Sequence, residues 1–237
     1  MYKVKMSIDL NGPQIEFSGI LAASVHEMKN SLSMLINYLD NVIEHFEKDK
    51  TSDIKLLSQL QYNAKHVNNN LMQLLALYRL ENSLYSLNIG YNPVVELVED
   101  LIAQNKTLMD YKGITLDVDI DSNLYWFYDK DLVAGSLNSI INNSFKYTKD
   151  LIRISAYEAD AYLNICIEDN GTGYPDHMLQ NGRTQESSIS FKTGNTGLGL
   201  YFSSMVARFH KNKEREGFIT LKNSSVYGGG CFCISLP

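Results

Sequence analysis

Apolar residues in the first third of the chain recur at alternating steps of three and four. Val25, Met28, Leu32, Leu35, Leu39, Val42 and Phe46 form one series; after the polar break EKDKTSD a second runs through Leu57, Leu60, Ala64, Val67, Leu71, Leu74 and Tyr78. This is the seam spacing of coiled-coil-like helices, so two long helices joined by a short loop are predicted, a helical hairpin. Ile36, Ile43, Leu75 and Leu80 on the flanks are apolar too. A single partner helix cannot cover them. Dimerisation into a four-helix bundle would, and is preferred because a separate core follows downstream; packing of the second half of the chain over the hairpin in a monomer is the alternative.

Beyond SLYSLNIGYNP, whose turn residues read as a linker ending near Pro93, the period changes. Val94 to Met109 and Lys130 to Tyr147 have helical spacing, Ile114 to Ile120 alternates as a strand, and NLYWFYD is an aromatic strand candidate. LIRISAY and LNICIED suit paired strands, Leu198 to His210 a further helix, and FITLKN and CFCISLP closing strands. Strands and helices interleaved without strict alternation predict an α+β sandwich, helices over one face of a mixed sheet.

With 237 residues, 44% hydrophobic and 20% charged, the chain is sized for two folded domains. A net charge of -6 argues against a nucleic-acid partner, which needs a basic footprint. No run approaches the roughly 18 apolar residues of a membrane span, and the start MYKVKMSIDLNGPQ lacks the apolar centre of a secretory signal, so no membrane span in this chain and a cytoplasmic location are expected. Cys166, Cys231 and Cys233 fall in strand-like stretches without metal-ligand spacing, and are expected as buried reduced thiols.

Two glycine-bearing stretches carry candidate chemistry. EDNGTGYP places Asp169 at the end of a strand with two glycines beyond it. A carboxylate there can accept from an exocyclic amine while glycine lets the backbone approach a flat ring; taken alone, the same run is a turn. TGNTGLGLYFSSMVARFH leads glycines into an amphipathic helix, whose N–H groups and positive end suit phosphate. It is neither a Walker loop nor a dinucleotide fingerprint. Upstream, Asn143 and Lys146 share a helix face, an amide oxygen for a hard cation and an ammonium for phosphate, or simply a solvated surface.

Taken in order, SVHEMKN, NNSFKYT, DNGTGYP, TGLGL and GGGCFCISLP resemble the phosphoacceptor, asparagine, first glycine, second glycine and terminal segments of the bacterial two-component sensor histidine kinase core, over about residues 17 to 237. The resemblance implies a dimeric four-helix bundle built from the hairpin (17–83), a linker (84–92) and an ATP-binding α/β sandwich of the histidine kinase ATPase type, akin to gyrase-type ATPases (93–237), after an N-terminal segment (1–16). It implies ATP and Mg²⁺ as cofactors, with Asn143 on the metal, Lys146 and Tyr147 on the phosphate and ribose side, and Asp169 on the adenine amine. Gly171, Gly173, Gly197, Leu198 and Gly199 would shape the pocket. Residues 174–196 would form a lid, with Phe191 as its anchor.

His26 lies on the flank of the hairpin seam, about 100° from Val25, and as a neutral imidazole can act as a nucleophile. By resemblance Glu27 orients it, a response-regulator receiver domain takes the phosphoryl group onto an aspartate, and Asn30 positions water for a phosphatase activity. A homodimer and a separate sensor protein are the other implied partners. Three positions depart from the family pattern. Ser31 replaces a usual proline, Ser139 stands where kinases carry Asn and related ATPases a catalytic Glu, and Asn195 replaces the first glycine of the second glycine segment. A dimeric signalling scaffold with weak or no kinase activity, and a serine kinase of anti-sigma type, are the alternatives.

Overall fold

The computed structural model describes residues 28, 30–35, 37–38, 50–81, 84–179, 197–223 and 226–237. Residues 30–35 are helical and lie beside α1 (Lys50–Glu81), the Ser31 hydroxyl 3.4 Å from His66 Nδ1. There follow β1 (Ile89–Pro93), α2 (Val94–Lys112), β2 (Thr115–Ile120), β3 (Tyr125–Asp129), α3 (Lys130–Tyr147), β4 (Leu151–Ala159) and β5 (Tyr162–Asp169). A 3-10 turn (Asp176–Met178) and α4 (Leu198–Phe209) precede the short strands β6 (Lys211–Asn212) and β7 (Arg215–Glu216), then β8 (Phe218–Asn223) and β9 (Gly230–Leu236).

The main sheet has the order β2-β4-β5-β9-β8, with β2 parallel to β4 and the other pairs antiparallel. Alternation along each strand puts Ile152 and Ile154, Ile165 and Ile167, Phe232 and Ile234, and Ile219 and Leu221 on one face. They are buried in one core with Val98 and Leu101 of α2, Leu137 and Ile141 of α3 and Val206 of α4. This is the helix-covered mixed sheet that the periodicity predicts.

Three features differ from the sequence reading. Ile89 to Pro93, read as linker, is a strand: it pairs with β3 in a separate two-stranded ribbon, and Pro93 sits at its end, where a missing N–H is tolerated. The cysteines are not all reduced. Register places Cys166 directly opposite Cys233 and their sulfurs are joined as a disulfide, a pairing that the spacing of CFC could not reveal. Cys231 remains a free thiol, pushed up to about 11 by burial and the nearby Glu168.

The third difference lies in α1. Its buried stripe is Asn63, Asn70, Gln73, Leu77 and Leu80, one position N-terminal of the expected Ala64, Leu71, Leu74 and Tyr78. One position is about 100° round the helix. Leu77 and Leu80 join the core shared with α3 and α4, which leaves Leu71, Met72, Leu75 and Tyr78 exposed, as are Leu32 and Met34 of the neighbouring helical segment. Leu80, expected in a bundle interface, is covered within the chain.

Asp129 ties the segment that follows α1 to α3 and to the end of α4. It is only 1% exposed. Its Oδ1 accepts from the Leu132 N–H at 3.1 Å, capping α3, while Oδ2 accepts from the Tyr85 hydroxyl at 3.1 Å and the Asn88 N–H at 2.9 Å. The hydroxyl of Tyr85 is pushed up to about 12 by burial and by this carboxylate. The Asp129 N–H donates to His210 Nε2 at 3.0 Å; since Nε2 accepts, Nδ1 carries the proton and donates to the Val206 carbonyl at 2.7 Å.

Burial therefore holds the His210 pKa below its ordinary value of 6.5. A folded-state pKa below the unfolded one means that the unfolded chain takes up the proton first as pH falls. The neutral ring's contribution is intact above about pH 6.5 and is lost as the pH drops below that value. Urea unfolding followed by circular dichroism should show stability falling between about pH 7 and pH 5, and His210→Gln should start about 1–2 kcal/mol lower at neutral pH but fall less steeply.

Candidate functional site

The alternation that buries Ile165 and Ile167 also turns Asp169 onto the core face, opposite Ile152, where β5 leaves the sheet. A buried carboxylate needs hydrogen bonds. Asp169 Oδ1 accepts from the N–H of Gly171 at 2.8 Å and of Gly230 at 3.2 Å, while Oδ2 makes no hydrogen bond among the described residues. Both donors reach it because side chains are missing around them. A Cβ at Gly229 would strike the Asp169 carbonyl and carboxylate, and one at Gly171 would strike the Tyr147 carbonyl.

α3 supplies the facing wall. Asn170 fixes the chain leaving it: Oδ1 accepts from the N–H groups of Lys149, Asp150 and Leu151, each at 3.2 Å, and from the Thr148 hydroxyl at 3.0 Å. That brace sets Tyr147 beside the loop after Asp169. One and two turns earlier stand Asn143, half-buried, and Ser139, buried. The first turn of α4 packs onto them so closely that a Cβ at Gly199 would overlap the Ser139 hydroxyl and lie 3.2 Å from Asn143 Nδ2.

α4 begins at Gly197 in the left-handed region, φ 59°, with no side-chain cap and no acidic residue in its first turn. α3, by contrast, carries the Asp129 cap. The start of α4 thus presents the positive end of a helix, bare of carboxylate, next to Asn143. Among the described residues no group of three acidic, His or Cys side chains comes together to hold a metal. A divalent cation here would lean on the Asn143 amide oxygen and on oxygens of a phosphorylated ligand, which is how Mg²⁺ is commonly held. The donor set fits a nucleotide: a carboxylate oxygen for a base amine at one end, a helix start at the other.

The structure brings together Asn143, Tyr147, Asp169, Gly171, Gly197 and Gly199, with Lys146 exposed at the rim and Gly173 just beyond the loop. Leu198 is buried in the core, so only its main chain is available at the start of α4. Asn30 is exposed on the hairpin. His26, Glu27 and, of the segment 174–196 expected as a lid, residues 180–196 with Phe191 and Asn195 lie outside the described residues. Gly229, Gly230 and Asn170 were not singled out from the sequence. The run GGG was the available signal, but its role depends on β9 lying beside β5.

Residues 129–237 match the family model described as histidine kinase-, DNA gyrase B-, and HSP90-like ATPase. The sensor protein SrrB of Staphylococcus aureus is 26% identical over 219 residues, 90% of this chain and 36% of the relative, so the chain spans little more than a third of that curated protein. Among solved structures, histidine kinase AdeS of Acinetobacter baumannii shares the fold with a TM-score of 0.59 at 20% identity, over 89% of this chain and 96% of that one. The catalytic domain of histidine kinase ThkA matches at 0.53 and 17% identity over 63% of this chain and 95% of that one. Full-length ShkA, solved in complex with AMPPNP, matches at 0.57 and 14% identity over 94% of this chain and 46% of that one. Family match and fold point the same way: residues 129–237 match the model of the histidine kinase-, DNA gyrase B-, and HSP90-like ATPases, and the chain is similar in sequence to a sensor protein and in fold to solved histidine kinases.

Proposed function

We propose that this chain binds Mg-ATP, phosphorylates its own His26 and passes the phosphoryl group to an aspartate on a response-regulator receiver domain. The observation that carries the reading is the Asp169 carboxylate, pinned through one oxygen by Gly171 and Gly230 with the other unbonded among the described residues, together with the uncapped start of α4 packed on the same helix α3. In this reading Asp169 accepts from the adenine amine, Tyr147 and Lys146 flank ribose and phosphates, and the N–H groups from Gly197 to Gly199 meet phosphate oxygens. Mg²⁺ on Asn143 would offset phosphate charge.

The reaction asks little covalent chemistry of the protein beyond His26. Its Nε2 lone pair forms the N–P bond as the bond from the γ-phosphorus to the β,γ-bridging oxygen breaks and ADP leaves. Nδ1 keeps its proton, directed at Glu27, so that charge gained by the ring is shared with a carboxylate. The exposed Asn30 would position water for dephosphorylating the receiver aspartate. The hairpin (17–83), linker (84–92) and catalytic unit (93–237) would act as a homodimer, which the exposed Leu32, Met34, Leu71, Met72, Leu75 and Tyr78 support. A cytoplasmic site of action and a separate sensor protein complete the proposal; among the described residues no helix is long and apolar enough to cross a membrane.

Two measurements test it. Asp169→Asn replaces an acceptor facing the base amine by a donor, and calorimetric titration should show the Kd for Mg-ATP rising at least about tenfold; wild-type protein that fails to bind millimolar Mg-ATP would favour a scaffold instead. Incubation with radiolabelled Mg-ATP should label the wild type but not His26→Gln, and labelling should fade below about pH 6, where the imidazole is protonated. Label persisting in the variant, or a rate flat from neutral to acid pH, would contradict a neutral His26 nucleophile.

A further inference from the structure

Tyr174 is where the lid was expected to begin, yet its main chain is tied down. Asn223, the last residue of β8, accepts from the Tyr174 N–H through Oδ1 at 2.7 Å and donates to the Tyr174 carbonyl through Nδ2 at 3.1 Å. This two-point amide clamp reproduces one rung of a β ladder with a side chain. It needs Gly173, whose φ of 75° lies in the left-handed region and whose Cβ, were there one, would lie 2.6 Å from Asn223 Oδ1. Asn223 is also the register partner of Gly230, the residue whose N–H bonds Asp169.

The clamp fixes where the ring goes. Tyr174 lies so close to Gly230 that a Cβ there would sit 2.9 Å from its Cε2, with Asp169 Oδ2 at 3.2 Å from the same point. The ring therefore stands beside the carboxylate oxygen left over from the Asp169 hydrogen bonds. Burial, and the nearness of Asp169, Cys231 and Tyr147, drive the pKa of its hydroxyl upward, so the phenol stays neutral. A neutral aromatic face next to a carboxylate acceptor matches the two needs of a purine, a flat apolar surface and a partner for its exocyclic amine.

We propose that the Tyr174 ring is a wall of the base slot and that Asn223 is the positioning residue that holds it there. The inference rests on the nucleotide reading above and adds to it a residue from β8, a strand with no motif of its own. Asn223 is exposed, and its two hydrogen bonds are to a loop rather than to the core, so its removal should leave the thermal transition in place.

The test is a double-mutant cycle on the full chain, with Mg-ATP affinity read by calorimetry and folding by thermal melts. Asn223→Ala should weaken Mg-ATP binding about tenfold without moving the melting transition. Tyr174→Ala should weaken it at least as much, Tyr174→Phe should bind as wild type, and Tyr174→Ala/Asn223→Ala should be no weaker than Tyr174→Ala alone, because the clamp acts only through the ring. Unchanged affinity in Asn223→Ala, or additive losses in the double variant, overturn the proposal while leaving the nucleotide site standing. Absence of Mg-ATP binding by the wild type overturns both.

Discussion

Asp169 stands where β5 leaves the sheet, and a carboxylate in that position is tolerated only with donors around it. Two backbone N–H groups supply them, one from the loop that follows the strand and one from the first residue of the neighbouring strand β9. Bringing two main chains that close to one side chain leaves no room for Cβ atoms, which is why Gly171 and Gly229 cannot be replaced without collision. The carboxylate thus dictates the glycines as much as the glycines admit the carboxylate. Since Oδ1 is consumed in holding the cradle, Oδ2 is oriented rather than free to rotate, a preset acceptor.

The same economy appears at the other end of α3. Asp129 caps that helix and, with its second oxygen, holds the Tyr85 hydroxyl and the Asn88 N–H, while its own N–H rests on a neutral His210 at the end of α4. One buried carboxylate therefore ties the segment entering the sheet to both α3 and α4. α1 joins the same body through Leu77 and Leu80. The packing of α1 on the sheet and the arrangement around Asp169 share α3 and α4 as common parts.

What was legible in the sequence follows from what a local pattern encodes. Helix α3 and strands β4 and β5 were placed to within a residue or two, because period and burial agree there: Leu137, Ile140 and Ile141 face the core, and Ile152 and Ile154 alternate with Arg153. Asp169 and the glycines beside it could be found because the carboxylate and its first donor are neighbours in the chain. Gly230 and Asn223 could not, since their roles exist only once β9 lies between β5 and β8. The disulfide failed for the same reason. In α1 the most apolar stripe is the exposed one, and the stripe packed within the chain contains Asn63, Asn70 and Gln73, which apolar periodicity does not mark.

The claim at the centre is that a purine amine meets Asp169 Oδ2 while its phosphates reach the start of α4. A crystal structure of the chain with Mg²⁺ and a non-hydrolysable ATP analogue measures this directly. The account predicts the base amine within hydrogen-bond distance of Asp169 and phosphate oxygens on the N–H groups from Gly197 to Gly199. A base bound elsewhere, or phosphates held away from that helix, would contradict it.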